Sequence, residues 1–489
     1  MTRARAVSGL RAATLAVFVL AALLRLVLAC VNREQSDNHV SVIDVMAFEH
    51  RIPDYDRDRD EVKEAFQPKL YHGTVAAILR LDPSTGTWRP CVSEYPGSPH
   101  VVWIGQMVNA TAGILTLFVV LRFLDLQDVS NRTRFFAFAL VALNPALVAI
   151  NAQVTNDSFV ILFGSLTLSR GYRFFRDFRR RDFVCMTAAA IAAAMSKATG
   201  LPICLAIVLV FAIALAHGSA AGAPRSSSTL GYAAVFAGAL LAALTVVAPK
   251  LGSYAELYHR YGSPFVTNRL PEPFPRPFAP TVFTGDAGVR SIAESLFTFR
   301  IVDLLRHPVV GNGRGERFPL HRTSVWSQVY GRLSSIRFDD YLETWRPLSA
   351  APTNLARAAL VLGLFPAALL ALGVATAVAR AAASPRRVRP HEWLIGMAAA
   401  GSTAFLIALA LRYRDYTFFK PILAFGGLAA FAALFARGYD SLGAAAGRRW
   451  SAYAGSILLA ALVLAYALDD TLLAAQLFAS CRSPGGFPQ

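Results

Sequence analysis

Residues 30–40 read CVNREQSDNHV and place Asp37, Asn38 and His39 directly behind a long apolar run. Further on, EAFQPKLYH at 64–72 gathers Glu64, Gln67, Lys69, Tyr71 and His72 into one short stretch. Carboxylates and imidazoles are the side chains of proton transfer, and an ammonium is a simple holder of a phosphate. Pro68 fixes the backbone, so Gln67 and Lys69 stand on a rigid bend. Plainer readings exist beside these: Asp37 as a helix cap, His39 as a surface histidine, Lys69 as a chain snorkelling to lipid headgroups. A second set of candidates lies later: Lys197, then Arg322 with Trp326 and Tyr330, then Arg412, Arg414 and Lys420. Trp326 and Tyr330 are one helical turn apart, a spacing that suits stacking on a sugar face or a place in the interfacial aromatic belt. The three basic residues at 412–420 suit phosphate binding or headgroup anchoring.

The elements that carry these residues are membrane spans. The chain has 489 residues, 55% of them hydrophobic and only 16% charged, and apolar stretches near the length of a bilayer crossing recur throughout. Such segments must satisfy their own backbone groups, so they are helices; the alternating strands of a barrel are absent. Spans are expected near 12–30, 100–121, 135–152, 156–169, 183–197, 199–216, 230–249, 354–379, 393–411, 418–436 and 451–471, about eleven in all. The run 12–30 reads as a retained span rather than a cleaved leader, because it is long and contains Arg25. The pair around SKATGLP (196–202) reads as two short helices broken there, or as a re-entrant pair.

The net charge of +17 does not indicate nucleic acid. The arginines sit in short connections between apolar runs, as in SRGYRFFRDFRRRD (169–182) and SPRRVRP (384–390), which is the positive-inside pattern. A cytoplasmic N-terminus then puts every arginine-rich connection in the cytoplasm and both long connections, 31–99 and 250–353, on the outer face. The first holds the acidic stretch DYDRDRDEVKE (54–64), and the second holds RLPEPFPRPFAP (269–280), which cannot be regular helix. Apolar residues at 40, 42, 43, 45, 46 and 48 predict a short helix lying on the membrane surface, stopped by Pro53, and GTVAAILRL (73–81) predicts a second amphipathic one. Among the five cysteines, a Cys30–Cys91 disulfide would staple the first loop to the first span. No cysteine–histidine spacing suggests zinc, and the sequons at Asn109, Asn131 and Asn156 fall where glycosylation is not expected.

Four pieces of the chain together resemble the GT-C superfamily of membrane glycosyltransferases, and within it bacterial relatives of the protein O-mannosyltransferase and aminoarabinose transferase group. They are SDNHV, HRIP and EAFQPKLYH in the first loop; ALNPALVAINAQVTNDSFVILFGSLTL (142–168); SKATGLP; and LHRTSVWSQVYG (320–331). They stand in family order over roughly the first two-thirds of the chain. The resemblance implies a polyprenyl-phosphate-linked sugar donor and a glycan, lipid or protein acceptor on the outer face, with membrane lipids as the only other partner and no nucleic acid. It implies Asp37 as the base that takes the acceptor's proton, with inversion at the anomeric carbon following from a single displacement. Lys69, Lys197, Arg322, Arg412 and Lys420 are the implied holders of the donor phosphate; His39, Glu64, Gln67, Tyr71, His72, Trp326 and Tyr330 are the implied binders of acceptor or sugar. Asn156 and Asp157 open a span from the outer side, either as a helix start or as the floor beneath Asp37. The sequence departs from the family where Asn38 stands in place of a second acid, which weakens any metal site shared by two carboxylates, so no metal or other cofactor is assigned.

The expected protein is therefore an all-α polytopic membrane bundle with two extended outer loops carrying short interfacial helices. Its units are a transmembrane core over 1–249 that includes the loop 31–99, a second outer region over 250–353, and further spans over 354–489. A bacterial inner membrane is the expected location, with the active site on the outer face. The rival readings are a transporter or flippase of a lipid-linked sugar, which calls for broken helices and charges at mid-bilayer, and a catalytically inactive scaffold of the same fold.

Overall fold

The computed structural model describes residues 3–33, 35, 38–54, 58, 62, 64–81, 99–217, 226–247, 254–261, 292–309, 319–338, 342–413, 418–445 and 449–482. Its helices, in chain order, are α1 (Arg3–Val31), α2 (His39–Phe48), α3 (Leu70–Leu81), α4 (Pro99–Leu124), α5 (Asn131–Ala142), α6 (Pro145–Asn151), α7 (Asp157–Asp177), α8 (Arg180–Ser196), α9 (Leu201–His217) and α10 (Ser226–Ala242). There follow α11 (Tyr254–Tyr261), α12 (Ile292–Phe297), α13 (Ile301–Arg306), α14 (Val325–Ser334), α15 (Ala350–Leu362), α16 (Leu364–Ala383), α17 (Pro390–Tyr413), α18 (Leu428–Ala445) and α19 (Arg449–Arg482). The described residues contain no strand.

Among the described residues eight helices are long and apolar enough to cross a membrane, and α5 with α6 makes a ninth that is bent by 47°. The bend has a local cause. Pro145 cannot donate to the preceding turn, and Asn144 caps the new helix by accepting from the Leu147 amide at 3.3 Å. The two other expected spans are helical but less apolar or shorter: α7 carries Arg170, Arg173 and Arg176, and α8 has 17 residues. The break at SKATGLP is real. Helix α8 stops at Ser196, one 3-10 turn covers Ala198–Gly200, and α9 starts at Leu201.

Side chains from opposite ends of the sequence sort the bundle into two ends. At one end Asp440 accepts hydrogen bonds from Ser130 and Thr133, and the Tyr172 and His391 rings meet at 4.7 Å between centroids. This is the end of the arginine-rich connections. At the other end lie the exit of α1, the α6–α7 turn, the α8–α9 break, the start of α15 and the end of α19, where Arg33 reaches the Ser480 carbonyl.

Two expectations change. Helix α2 exists, but protein covers it rather than lipid: Val42 and Val45 pack with Val62, Ala65 and Leu257, while Val40 and Ile43 pack with Val75, Ala76 and Val101. Cys30 is a free thiol, because it packs against the apolar cluster of Leu28, Val148 and Leu473; the disulfide-bonded cysteine is Cys481, and Cys91 lies outside the described residues. The proline stretch 269–280 also lies outside them.

Helices α16 and α18 cross backbone to backbone. A methyl group added at Gly373 would stand 1.9 Å from the Leu434 carbonyl oxygen, and one at Gly438 would stand 1.9 Å from that of Leu369. Gly231 on α10 has nothing within 4 Å. Gly373→Ala or Gly438→Ala therefore forces the helices apart and costs about 1–3 kcal/mol, lowering the melting temperature in detergent. Gly231→Ala, by removing backbone entropy from the unfolded chain, holds or raises it by up to about 1 kcal/mol.

Candidate active site

The turn that joins α6 to α7 organises the site. Residues 152–156 leave helical geometry at the bundle end, so their carbonyls need donors from elsewhere. The Ala152 carbonyl accepts from Asn32 at 3.0 Å and Gln106 at 3.1 Å, and Asn109 donates to the carbonyls of Gln153 and Thr155 at 2.6 and 2.7 Å. Asn109 is fully buried by this task. Neither Gln106 nor Asn109 stands out in sequence as a site residue, since each is one amide in an apolar span.

Asn156 precedes α7 but makes no capping hydrogen bond with its side chain. Its Nδ2 donates instead to the Gln67 side chain and, at 2.9 Å, to the Ser196 carbonyl where α8 ends. Gln67 in turn donates to the Glu64 carboxylate. Next along, Asp157 holds Lys197 with both oxygens, at 2.9 and 2.8 Å, and accepts from the Thr155 hydroxyl at 2.9 Å. Asp157 is buried and Lys197 retains 18% side-chain exposure, so the ammonium is the partner that faces outward. Three of the resembling pieces, EAFQPKLYH, VTNDS and SKATGLP, thus meet in one hydrogen-bonded group.

Lys69 is buried, and its ammonium is held by the Ala65 carbonyl and, at 2.6 Å, by that of Gln67. Beside it His39 and His72 face each other, Nδ1 to Nε2 at 3.0 Å, both fully buried. This contact joins the first turn of α2 to that of α3. Burial together with the charges of His39, Lys69 and Lys197 pushes the His72 imidazole well below its usual range, so these residues share one electrostatic neighbourhood. Tyr71 turns the other way, with its hydroxyl bonded to the Gly105 carbonyl at 3.2 Å and its ring edge-on to Phe159, and burial raises its phenol pKa.

Asp37 lies outside the described residues. The position before α2 belongs to Asn38, whose side-chain Oδ1 accepts from the Ser41 hydroxyl. Arg322 is buried in the 3-10 turn Leu320–Thr323. Trp326 donates its indole N–H to the Leu296 carbonyl at 2.8 Å, and Tyr330 donates to the Leu360 carbonyl in α15, so both polar edges are engaged by protein. Arg412 ends α17 and Lys420 precedes the 3-10 segment Pro421–Gly427, which packs against α7, Thr199 and α14. The structure thus groups Glu64, Gln67, Lys69, His39, His72 and Lys197, and places Arg322, Trp326 and Tyr330 on a separate covering segment. Among the described residues no group of three or more His, Cys, Asp or Glu could hold a metal ion.

The depressed His72 sets a sign. A folded-state pKa below the usual 6.5 means that the folded protein binds fewer protons, so this site's contribution is present above about pH 6.5 and is lost as pH falls. Melting temperature in detergent is expected to drop from pH 7.5 to 5.5, and His72→Gln is expected to flatten that drop; an unchanged slope in the variant removes His72 as its source.

Residues 16–248 match the family model described as dolichyl-phosphate-mannose-protein mannosyltransferase. No curated protein sequence matches the chain. Among solved structures it is similar to ArnT from Cupriavidus metallidurans bound to undecaprenyl phosphate, at 12% identity and a TM-score of 0.48, over 96% of this chain and 76% of that one. It is also similar to the Archaeoglobus fulgidus oligosaccharyltransferase in the apo form, at 14% identity and a TM-score of 0.44, over 97% of this chain. A third likeness is AglB of the same organism in complex with an inhibitory peptide and a dolichol-phosphate, at 15% identity and a TM-score of 0.42, over 97% of this chain. The chain spans only 57% and 56% of the length of these two archaeal structures. The match over 16–248 takes in the segments that build the polar group at the bundle end, and over these residues the chain is similar to that family of membrane mannosyltransferases.

Proposed function

We propose that this protein transfers a sugar from a polyprenyl-phosphate-linked donor to an acceptor at the outer membrane boundary. The observation that carries the reading is the meeting of Gln67, Asn156, Asp157 and Lys197 in one buried group within the matched residues. A phosphate leaves without needing a proton, so the chemistry asks for one base and for cations at the departing oxygen. Asp37 is the base. It takes the proton of the acceptor group as that group's lone pair attacks the anomeric carbon, the carbon–oxygen bond to phosphate breaks, and the polyprenyl phosphate departs with inversion.

Lys197 is the cation best suited to the leaving phosphate, because it is partly exposed while its partner Asp157 is buried. Lys69, held on the bend fixed by Pro68, is the second. Glu64 and Gln67 border the acceptor side, and the His39–His72 contact keeps α2, which follows Asp37 in the chain, against α3. Arg322, Arg412 and Lys420 supply further positive charge toward the donor from the covering segments, and Trp326 and Tyr330 frame the sugar. The disulfide at Cys481 and the arginine-rich connections at the opposite end both favour an outer-face site with the N-terminus in the cytoplasm.

The test is transfer from a panel of polyprenyl-phosphate sugars by purified protein. Asp37→Asn is expected to lower kcat by about 10²–10⁴ while donor binding persists. Lys197→Met is expected to weaken binding of undecaprenyl phosphate by about tenfold. Equal turnover in Asp37→Asn and wild type would remove the base assignment, and consumption of no donor by any form would remove the enzyme reading.

A further inference from the structure

Four charged side chains lie buried together where α1, α19 and the second outer region meet. Arg25, Arg337, Asp469 and Asp470 are each no more than 2% exposed. Burying such charges costs several kcal/mol per group unless partners offset it, and ionisable residues inside a membrane protein are retained where they do a task. What Asp469 does is visible in its contacts. One oxygen accepts from the Ser335 hydroxyl at 2.9 Å and the Ile336 amide at 3.1 Å, and the other meets Arg337 at 3.3 Å. Arg337 continues to the Trp345 carbonyl at 3.0 Å and the Gln476 side chain at 3.1 Å. Gln476 ties down the Thr344 and Arg346 carbonyls at 3.0 and 2.9 Å. The Trp345 indole then donates to Asn32 at 3.1 Å, and Asn32 donates to the Ala152 carbonyl.

This path runs from the last helix, beyond the family-matched residues, to two places next to the site. Asn32 closes the exit of α1 on the way to Asp37, and Ala152 opens the turn that presents Asn156 and Asp157. The same carboxylate fixes the end of α14, whose contacts include α6 and the segment Pro421–Gly427. Asn144 adds a second tie by donating to the Leu333 carbonyl at 3.2 Å. Asp470 is different: both its oxygens lack hydrogen-bond partners among the described residues, and it faces Asp469, Arg25 and Arg337 only through charge.

We propose that Asp469, acting through Arg337, is a positioning residue that locks the second outer segment 319–338 against the α1 exit and the 152–156 turn, and so holds Arg322 and its neighbours in place for the donor phosphate. The donor part rests on the function proposed above. The locking part does not.

The experiment uses the full chain in lipid nanodiscs, with undecaprenyl phosphate as the probe. Amide hydrogen exchange, melting temperature and probe affinity are read for wild type, Asp469→Asn, Asp469→Glu, Arg337→Gln and Asp470→Asn. Asp469→Asn and Arg337→Gln are expected to speed exchange in 320–334 by about tenfold and to weaken the probe by about tenfold, the scale of one lost charge-assisted hydrogen bond, while α4 and α7 keep wild-type exchange. Asp469→Glu is expected to recover part of both effects, and Asp470→Asn to move the melting temperature without selective exchange in 320–334. Should Asp469→Asn fail to fold, Ser335→Ala removes one tie to the carboxylate without stranding a charge, and a smaller increase confined to the same segment is expected. Exchange that stays at wild-type rates in 320–334, or rises uniformly across the bundle, overturns the proposal. If wild type binds no undecaprenyl phosphate, the donor reading fails by itself and the exchange result still decides whether Asp469 locks the segment.

Discussion

A helix that stops inside or at the edge of a membrane leaves carbonyls and amides without partners, and lipid offers none. This chain stops its helices repeatedly at one end of the bundle: at Asn144, through 152–156, at 197–200 and at 421–427. Two of these breaks are closed by side chains from elsewhere in the chain. Asn156 takes the Ser196 carbonyl, Asn109 takes those of Gln153 and Thr155, and Asn32 with Gln106 takes that of Ala152. The polar end of the bundle is therefore one connected object. The amides that close it also bring Gln67, Asp157 and Lys197 together, so the need to satisfy the backbone and the need to build a site are met by the same atoms.

Charge is managed at this end by pairing. Lys197 is neutralised by Asp157, and Arg337 by Asp469, each across a large sequence separation. The two pairs differ in exposure. Lys197 keeps a face toward the outside, whereas Arg337 and Asp469 are sealed. An exposed ammonium can exchange one anion for another at modest cost, but a sealed pair cannot be opened without stranding a charge. That contrast separates a cation suited to ligand from one that fixes architecture.

The opposite end of the bundle follows simpler rules. Edge-to-face and tilted aromatic contacts link Phe174, Phe175, Phe183, Phe211 and Tyr232, and glycines set the approach of α16 to α18. Among the described residues no break of comparable size interrupts these helices, and the arginines lie near their ends.

Sequence alone was enough for the class of the molecule. Long apolar runs, arginine-rich turns and two long connections specify a helical membrane bundle with a distinguished face, because bilayer thickness and charge asymmetry act on each segment separately. The residue types of the site were legible too, since EAFQPKLYH, VTNDS and SKATGLP concentrate polar groups where apolar ones would be expected. Partnership was not. An Asn before a helix reads as a cap, and only the fold shows Asn156 turned to Gln67 and Ser196; apolar spacing over 40–48 reads as a surface helix, and only the covering residues Val62, Ala65 and Leu257 make α2 an interior one. Arg337, Trp345 and Asp469 carry no local signature, because a buried ion pair is defined by its two ends and these lie 132 positions apart. Segment properties follow from the chain's own composition, whereas pairings depend on which segments the packed bundle makes neighbours, and that is decided by tertiary structure.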